Sequence, residues 1–188
     1  TGKTNPTTFT INSKPMDLVQ PKREGYTFEG WSGTDIKEKD TQVTVTARPL
    51  KDRTYTANWK ENSYTIVFNV EGEVTRGEMK NIPLRYTQET TIPKNGYVCG
   101  GYKFVGWRTG GKKSEQKVYQ PGDKVSRLCA TNNGTVNLYP IWEPCEYTIT
   151  FDYQTGNKRE KVTCKYKETY TFPTVNRLGW TFEGWSRS

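Results

Sequence analysis

The chain has 188 residues, with 28 Lys and Arg against 20 Asp and Glu for a net charge of +8, four cysteines and no histidine. The missing imidazole removes Ser-His-Asp and Cys-His catalysis and the commonest zinc ligand together. Leu, Ile, Val and Phe are as sparse as in disordered chains, but six Trp, twelve Tyr and seven Phe supply core material instead, since each ring buries on the order of 150–250 Å².

In chain order, the first informative segment is Gly25-Tyr26-Thr27-Phe28-Glu29-Gly30-Trp31. A strict pleat would put Tyr26 and Phe28 on one face and Trp31 on the other. A bulge at Gly30 would swing the Trp to the face of the Phe. Asp35–Asp40 carries no apolar stripe and is read as at most a helical turn or two. Gln42–Ala47 alternates Val43, Val45 and Ala47 with polar residues, the period of a half-buried strand. Tyr55-Thr-Ala-Asn-Trp59 follows, then the strand Tyr64–Asn69.

The same order then returns. Gly101-Tyr102-Lys103-Phe104-Val105-Gly106-Trp107 repeats the glycine-aromatic motif, and Leu138-Tyr-Pro-Ile-Trp142 repeats the Trp59 segment. Tyr147–Tyr153 is a second Tyr-Thr-Ile-x-Phe strand, and Gly179-Trp180-Thr181-Phe182-Glu183-Gly184-Trp185 is a third motif. Lys112–Val118 could likewise form at most a helical turn or two. In the third copy Gln154-Thr155-Gly156-Asn157 has turn chemistry, and Lys161–Tyr166 is its return strand. The motifs recur at spacings of roughly 76 to 83 residues, which makes the unit a small domain, because solenoid turns run to about 20–50 residues. The expected domains are 1–61, a repeat without its opening strand; 62–144, a complete repeat; and 145–188, a repeat that stops after its Gly-Trp motif. Both ends fall inside a repeat, which predicts a piece of a longer polypeptide. The fold class is mainly β with little helix. The aromatic motif residues Tyr26, Phe28, Trp31, Tyr102, Phe104, Trp107, Trp180, Phe182 and Trp185 are expected to form module cores; a stacking platform for sugars or bases would need them exposed.

Cys99, Cys129, Cys145 and Cys164 lack the Cys-x-x-Cys spacing of redox or zinc sites. Disulfides Cys99–Cys129 and Cys145–Cys164 are expected, each within one copy. A hairpin turning at Thr155-Gly156 sets Cys164 opposite Tyr147 and Cys145 opposite Tyr166, two residues out of register. Four thiols in a reducing compartment are the alternative. No metal or cofactor site is expected. Acidic candidates such as Asp35, Glu38, Asp123 and Glu146 do not recur in an apolar setting, and the glycines at 96, 100, 101 and 106 lie outside any strand-to-helix phosphate loop.

With these motifs in this order, the chain resembles the Listeria–Bacteroides repeat, the B-repeat family of internalins. Pro21-x-Arg23-x-Gly25-Tyr26-Thr27-Phe28-x-Gly30-Trp31, Val43-Thr44-Val45 and Asp52-Arg53-Thr54-Tyr55-Thr56-Ala57-Asn58-Trp59 carry the resemblance in the first copy. Tyr119-x-Pro121-Gly122-Asp123-x-Val125-Ser126-x-Leu128 and Val136-x-Leu138-Tyr139-x-Ile141-Trp142 carry it in the second. The resemblance implies β-grasp-like modules in series on secreted, wall-attached bacterial proteins, with no transferable catalytic residues. The cysteines and basic charge depart from that pattern.

The expected function is a non-enzymatic extracellular stalk or adhesion region of a bacterial cell-surface protein. An accessory module binding carbohydrate or glycosaminoglycan is the alternative. The basic balance fits a polyanionic glycan, and the resemblance implies a host-surface protein as a further partner. Lysines and arginines are dispersed rather than striped, which argues against nucleic acid. Self-association through the cut repeat ends is also expected, because unpaired edges are templates for further strands. No stretch approaches the roughly eighteen apolar residues of a membrane-spanning helix.

Overall fold

The structure, a computed structural model, describes residue 5 and residues 8–48, 51–72, 74–110, 112–154 and 158–186. It is nearly all β. In the first copy β1 (Met16–Asp17), β2 (Tyr26–Gly33), β3 (Ile36–Asp40), β4 (Thr44–Val45) and β5 (Tyr55–Glu61) form a three-stranded sheet ordered β3-β2-β5 and a small ladder β1-β4. The Asp35–Asp40 segment is therefore a return strand and not a helical turn, with Asp35 at a φ of 64° making the corner. The Gln42–Ala47 strand is shorter than its alternation predicts, although Val43 and Val45 are both buried.

The middle copy holds β6 (Ser63–Phe68), β7 (Val74–Arg76), β8 (Ile82–Arg85), β9 (Thr90–Thr91), β10 (Val98–Cys99), β11 (Tyr102–Thr109), β12 (Val118–Tyr119), β13 (Lys124–Val125) and β14 (Gly134–Pro144). The described helix is limited to one 3₁₀ turn, Lys113–Glu115, inside the segment expected to hold a helical turn. The main sheet runs β12-β11-β14-β6-β8. Its neighbours are antiparallel except β14 and β6, which are parallel from Gly134 opposite Tyr64 to Leu138 opposite Phe68. Alternation reveals a strand's buried face but not its partner, so this parallel pairing was not legible in the sequence. The core under the sheet joins Tyr64, Ile66, Phe68, Leu84, Ile92, Trp107, Val125 and Leu138.

The third copy contributes β15 (Glu146–Asp152) and β16 (Arg159–Lys165), paired with Cys164 opposite Tyr147 as the sequence predicts. Residues 155–157 of the expected turn lie outside the described residues.

The glycine-aromatic motif is solved twice in the same way. Pairing between β2 and β5 slips between Phe28 and Gly30, and pairing between β11 and β14 slips between Phe104 and Gly106. Each slip is the expected bulge. It brings Trp31 edge-on to Phe28 at 5.5 Å and Trp107 edge-on to Phe104 at 5.1 Å. Gly30 has a φ of 123°, and a Cβ there would meet the backbone of Asp40 at 2.9 Å. Conformation and space both require glycine at this bulge.

Candidate functional site: the junctions between repeats

The last residues of the first two motifs, Trp31 and Trp107, are buried core residues, with Phe28 and Phe104 half-buried beside them. Trp107 is fully buried against Phe68, Phe104 and Tyr97, and Trp31 is buried beside Phe28. The Phe28 and Phe104 rings also meet Trp59 and Trp142 edge-on. In the third copy Trp185 packs on Phe151 at 4.8 Å, the spacing of Trp107 on Phe68, and its Nε1–H donates to the Pro173 carbonyl. Contrary to the core role expected of them, Phe182 and Trp180 are both exposed, Phe182 at 5.5 Å from Trp185 and Trp180 beneath the Arg177 guanidinium.

Tyr26 and Tyr102 are placed differently from the core role expected of them. Tyr26 meets Tyr86 of the next repeat edge-on, and Tyr102 meets Tyr166 of the repeat after it at 5.3 Å and 78°. These are contacts between repeats. Around them the backbone makes the same pattern twice. The Asn62 N–H donates to the Gly25 carbonyl at 2.9 Å, and the Tyr86 N–H donates to the Asn62 carbonyl at 2.9 Å. The Cys145 N–H donates to the Gly101 carbonyl at 2.8 Å, and the Tyr166 N–H donates to the Cys145 carbonyl at 2.8 Å. Gly25 and Gly101 have φ of 75° and 78°, and a Cβ at either would collide with the Tyr86 or Tyr166 ring. A single residue, Asn62 or Cys145, separates a strand of one repeat from the first strand of the next.

Side chains add to the first junction. Thr27 Oγ1 donates to Asn62 Oδ1 at 2.6 Å, and Asn62 Nδ2 donates to the Ala130 carbonyl at 2.7 Å. Asn62 is thus a buried polar residue whose amide serves as both donor and acceptor across the boundary. The Glu61 carboxylate accepts from the Thr87 N–H at 2.7 Å and from the Thr87 hydroxyl. Those bonds hold its pKa below the ordinary glutamate range. A cleft of about 380 Å³ opens here, lined by Arg23, Tyr26, Phe28, Trp59, Ala130 and Thr131 among others, with the Arg23 guanidinium 3.8 Å above the Tyr26 ring. The junction residues Asn62, Tyr86, Cys145 and Tyr166 were missed in the sequence; the available signal was that no Gly/Pro/Ser-rich linker separates one repeat's last Trp from the next Tyr-Thr-Ile strand.

All four cysteines are free thiols, Cys99 and Cys164 buried and Cys129 and Cys145 half-buried. The expected Cys99–Cys129 bridge does not fit. Cys129 packs against Gly134 at one end of β14, whereas Cys99 lies three residues before Tyr102, which pairs with Pro144 at the other end. Ten residues of strand span about 33 Å, and a disulfide needs Cα atoms within about 7 Å. Cys145 and Cys164 do share a face, since Cys145 is two residues before Tyr147, the residue opposite Cys164. Tyr147 has its pKa raised by desolvation and by the Cys145 thiol beside it.

Among the described residues no three His, Cys, Asp or Glu side chains gather as a metal site, and no helix is long and apolar enough to cross a membrane. Asp35 and Lys51 form an exposed ion pair, and the Asp123 carboxylate accepts from the Gln120 N–H in a turn.

A tandem array of small β modules, with a single residue between the last strand of one and the first strand of the next, is the class of protein defined by this geometry. Residues 64–139 and 147–188 match the model of the Listeria-Bacteroides repeat domain, and residues 20–63 match that of the divergent InlB B-repeat domain. The chain belongs to the Listeria–Bacteroides repeat family. A protein of Evansella cellulosilytica named as a Gly-rich membrane protein is 26% identical over 177 residues, 90% of this chain and 20% of that protein. Internalin H of Listeria monocytogenes is 30% identical over 115 residues, 60% of this chain and 20% of internalin H. The matched region thus spans a fifth of the length of these relatives. No solved structure matches the chain.

Proposed function

We propose that the chain is a non-enzymatic stalk segment of an extracellular, cell-surface bacterial protein, holding successive repeats at a fixed angle. The observation that carries this reading is the junction, built twice from the same two backbone hydrogen bonds and the same tyrosine-on-tyrosine contact. Flexible linkers are the usual boundary between domains. Here one residue does that work, and its N–H and C=O are both committed to neighbouring repeats. A spacer that must project a binding region needs such stiffness. Relatives named as membrane proteins and as an internalin support the location.

The cleft at the first junction favours a second reading, an accessory carbohydrate module, because it combines aromatic walls with the Arg23 guanidinium. Passage over immobilised heparin and a glycan array separates the two. A stalk elutes without retention at physiological salt. Retention that is released as salt screens the charge, and lost in Arg23→Ala with Trp59→Ala, would replace the stalk with the glycan module.

A further inference from the structure

β16 leaves a row of backbone groups open to a further strand. Its pairing with β15 is regular from Glu146 opposite Lys165 to Asp152 opposite Arg159, and the Tyr166 N–H donates to the Cys145 carbonyl at 2.8 Å. The alternation of an antiparallel ladder therefore points the N–H and C=O of the even-numbered residues of β16 at β15, and those of Arg159, Lys161, Thr163 and Lys165 away from it. At Lys165 both are taken by Glu168, whose carboxylate accepts from the Lys165 N–H at 2.8 Å and whose own N–H donates to the Lys165 carbonyl at 3.0 Å. Arg159, Lys161 and Thr163 remain open, since among the described residues β16 pairs with β15 alone.

The middle repeat shows that this edge belongs to the fold. There β8 ends the sheet in the place of β16, with Leu84 opposite Tyr64 as Cys164 is opposite Tyr147. Its edge, however, is closed. Pro83 stands where Thr163 stands and has no N–H to offer. Gln88 takes the N–H and C=O of Arg85 just as Glu168 takes those of Lys165.

Side chains decide what can be added to β16. Arg159, Lys161, Thr163 and Lys165 are all exposed on one face, while Val162 is half-buried and Cys164 buried on the other. Arg159 is held by Asp152 at 2.9 Å, and Lys161 has only Thr150 opposite it. A second copy of β16 is repelled, because open residues pair with open residues. Every antiparallel register that engages two or more of them sets a Lys or Arg opposite another, which is destabilising. The same charges favour a strand with carboxylates at alternate positions and apolar residues between them against Val162.

We propose that β16 binds an acidic extended segment of another protein, added antiparallel along Arg159–Thr163 as a further strand. Its backbone completes the open hydrogen bonds, and its carboxylates lie beside Arg159 and Lys161.

Titration of the ¹⁵N-labelled, fully reduced chain with the peptide Glu-Val-Glu-Val-Glu tests this. The amides of Arg159, Lys161 and Thr163 shift and gain exchange protection, more than those of Glu160 and Val162, which already face β15. Thr163→Pro, which copies the residue that β8 carries, abolishes the response. Lys161→Glu abolishes it too while leaving every backbone group in place, so the test survives if the proline variant does not fold. The peptide Lys-Val-Lys-Val-Lys leaves the spectrum unchanged. Absence of shifts with the acidic peptide overturns the proposal, as does a response undiminished in Lys161→Glu. A response to heparin that equals the peptide's and persists in Thr163→Pro also overturns it, since charge alone would then be recognised.

Discussion

Trp107 concentrates the energetics of the middle repeat in one side chain. It is fully buried, and its ring meets Phe68, Phe104 and Tyr97 edge-on. Its indole Nε1–H, like that of Trp31, is buried without a hydrogen-bond partner in the structure. The ring therefore acts through packing. Trp107→Ala is expected to destabilise the repeat by about 3–5 kcal/mol. Trp107→Phe keeps most of the aromatic contact and breaks no hydrogen bond, so it should cost clearly less. Denaturant titration of both variants checks the order, and equal losses would show that the indole N–H has a role the packing account lacks. Across the bulge, Gly30 was legible because a pleated strand could not otherwise place Phe28 and Trp31 together. Tyr26 was not, because a repeated aromatic looks the same whether it faces its own core or the next repeat.

At the scale of the elements, β15 and β16 show how far local chemistry determines register. Turn residues and alternation set Cys164 opposite Tyr147, and the structure has that pairing. The partner of β6 was not legible, because the parallel neighbour β14 begins 66 positions beyond the end of β6 and nothing in either strand specifies the other. The same register bears on the thiols. Diagonal neighbours across a ladder lie about 7–8 Å apart, whereas bridged Cβ atoms lie about 3.5–4.5 Å apart. Oxidation is expected to close Cys145–Cys164 through a small slip of the hairpin and to leave Cys99 and Cys129 as thiols. Peptide mapping after alkylation of the unreduced, denatured protein should find label at Cys99 and Cys129 alone. Label at all four would mean that the hairpin does not slip.

The whole molecule is governed by its boundaries, and the first has a titratable clasp. The Glu61 carboxylate has its pKa lowered first by the Thr87 hydroxyl and next by the Thr87 N–H. A folded-state pKa below the unfolded value stabilises at pH above the ordinary glutamate range, and that contribution is lost as pH falls below about 4.3. Hydrogen exchange corrected for intrinsic rate should show the Thr87 amide losing protection in that window. In Glu61→Gln its protection should be lower at neutral pH and nearly flat across the acid range. An equal acid response in that variant would place the sensitivity elsewhere.

The central claim is that a single clamped residue per boundary makes the repeats one stiff body. Backbone ¹⁵N relaxation measured for amides of the middle repeat and of both neighbours tests it most directly. Rigid junctions predict that one anisotropic diffusion tensor fits all three repeats, and that Gly101→Ala, which drives a Cβ into Tyr166, frees the third repeat from that tensor. Separate, faster tumbling of each repeat in the unmodified chain would contradict the account.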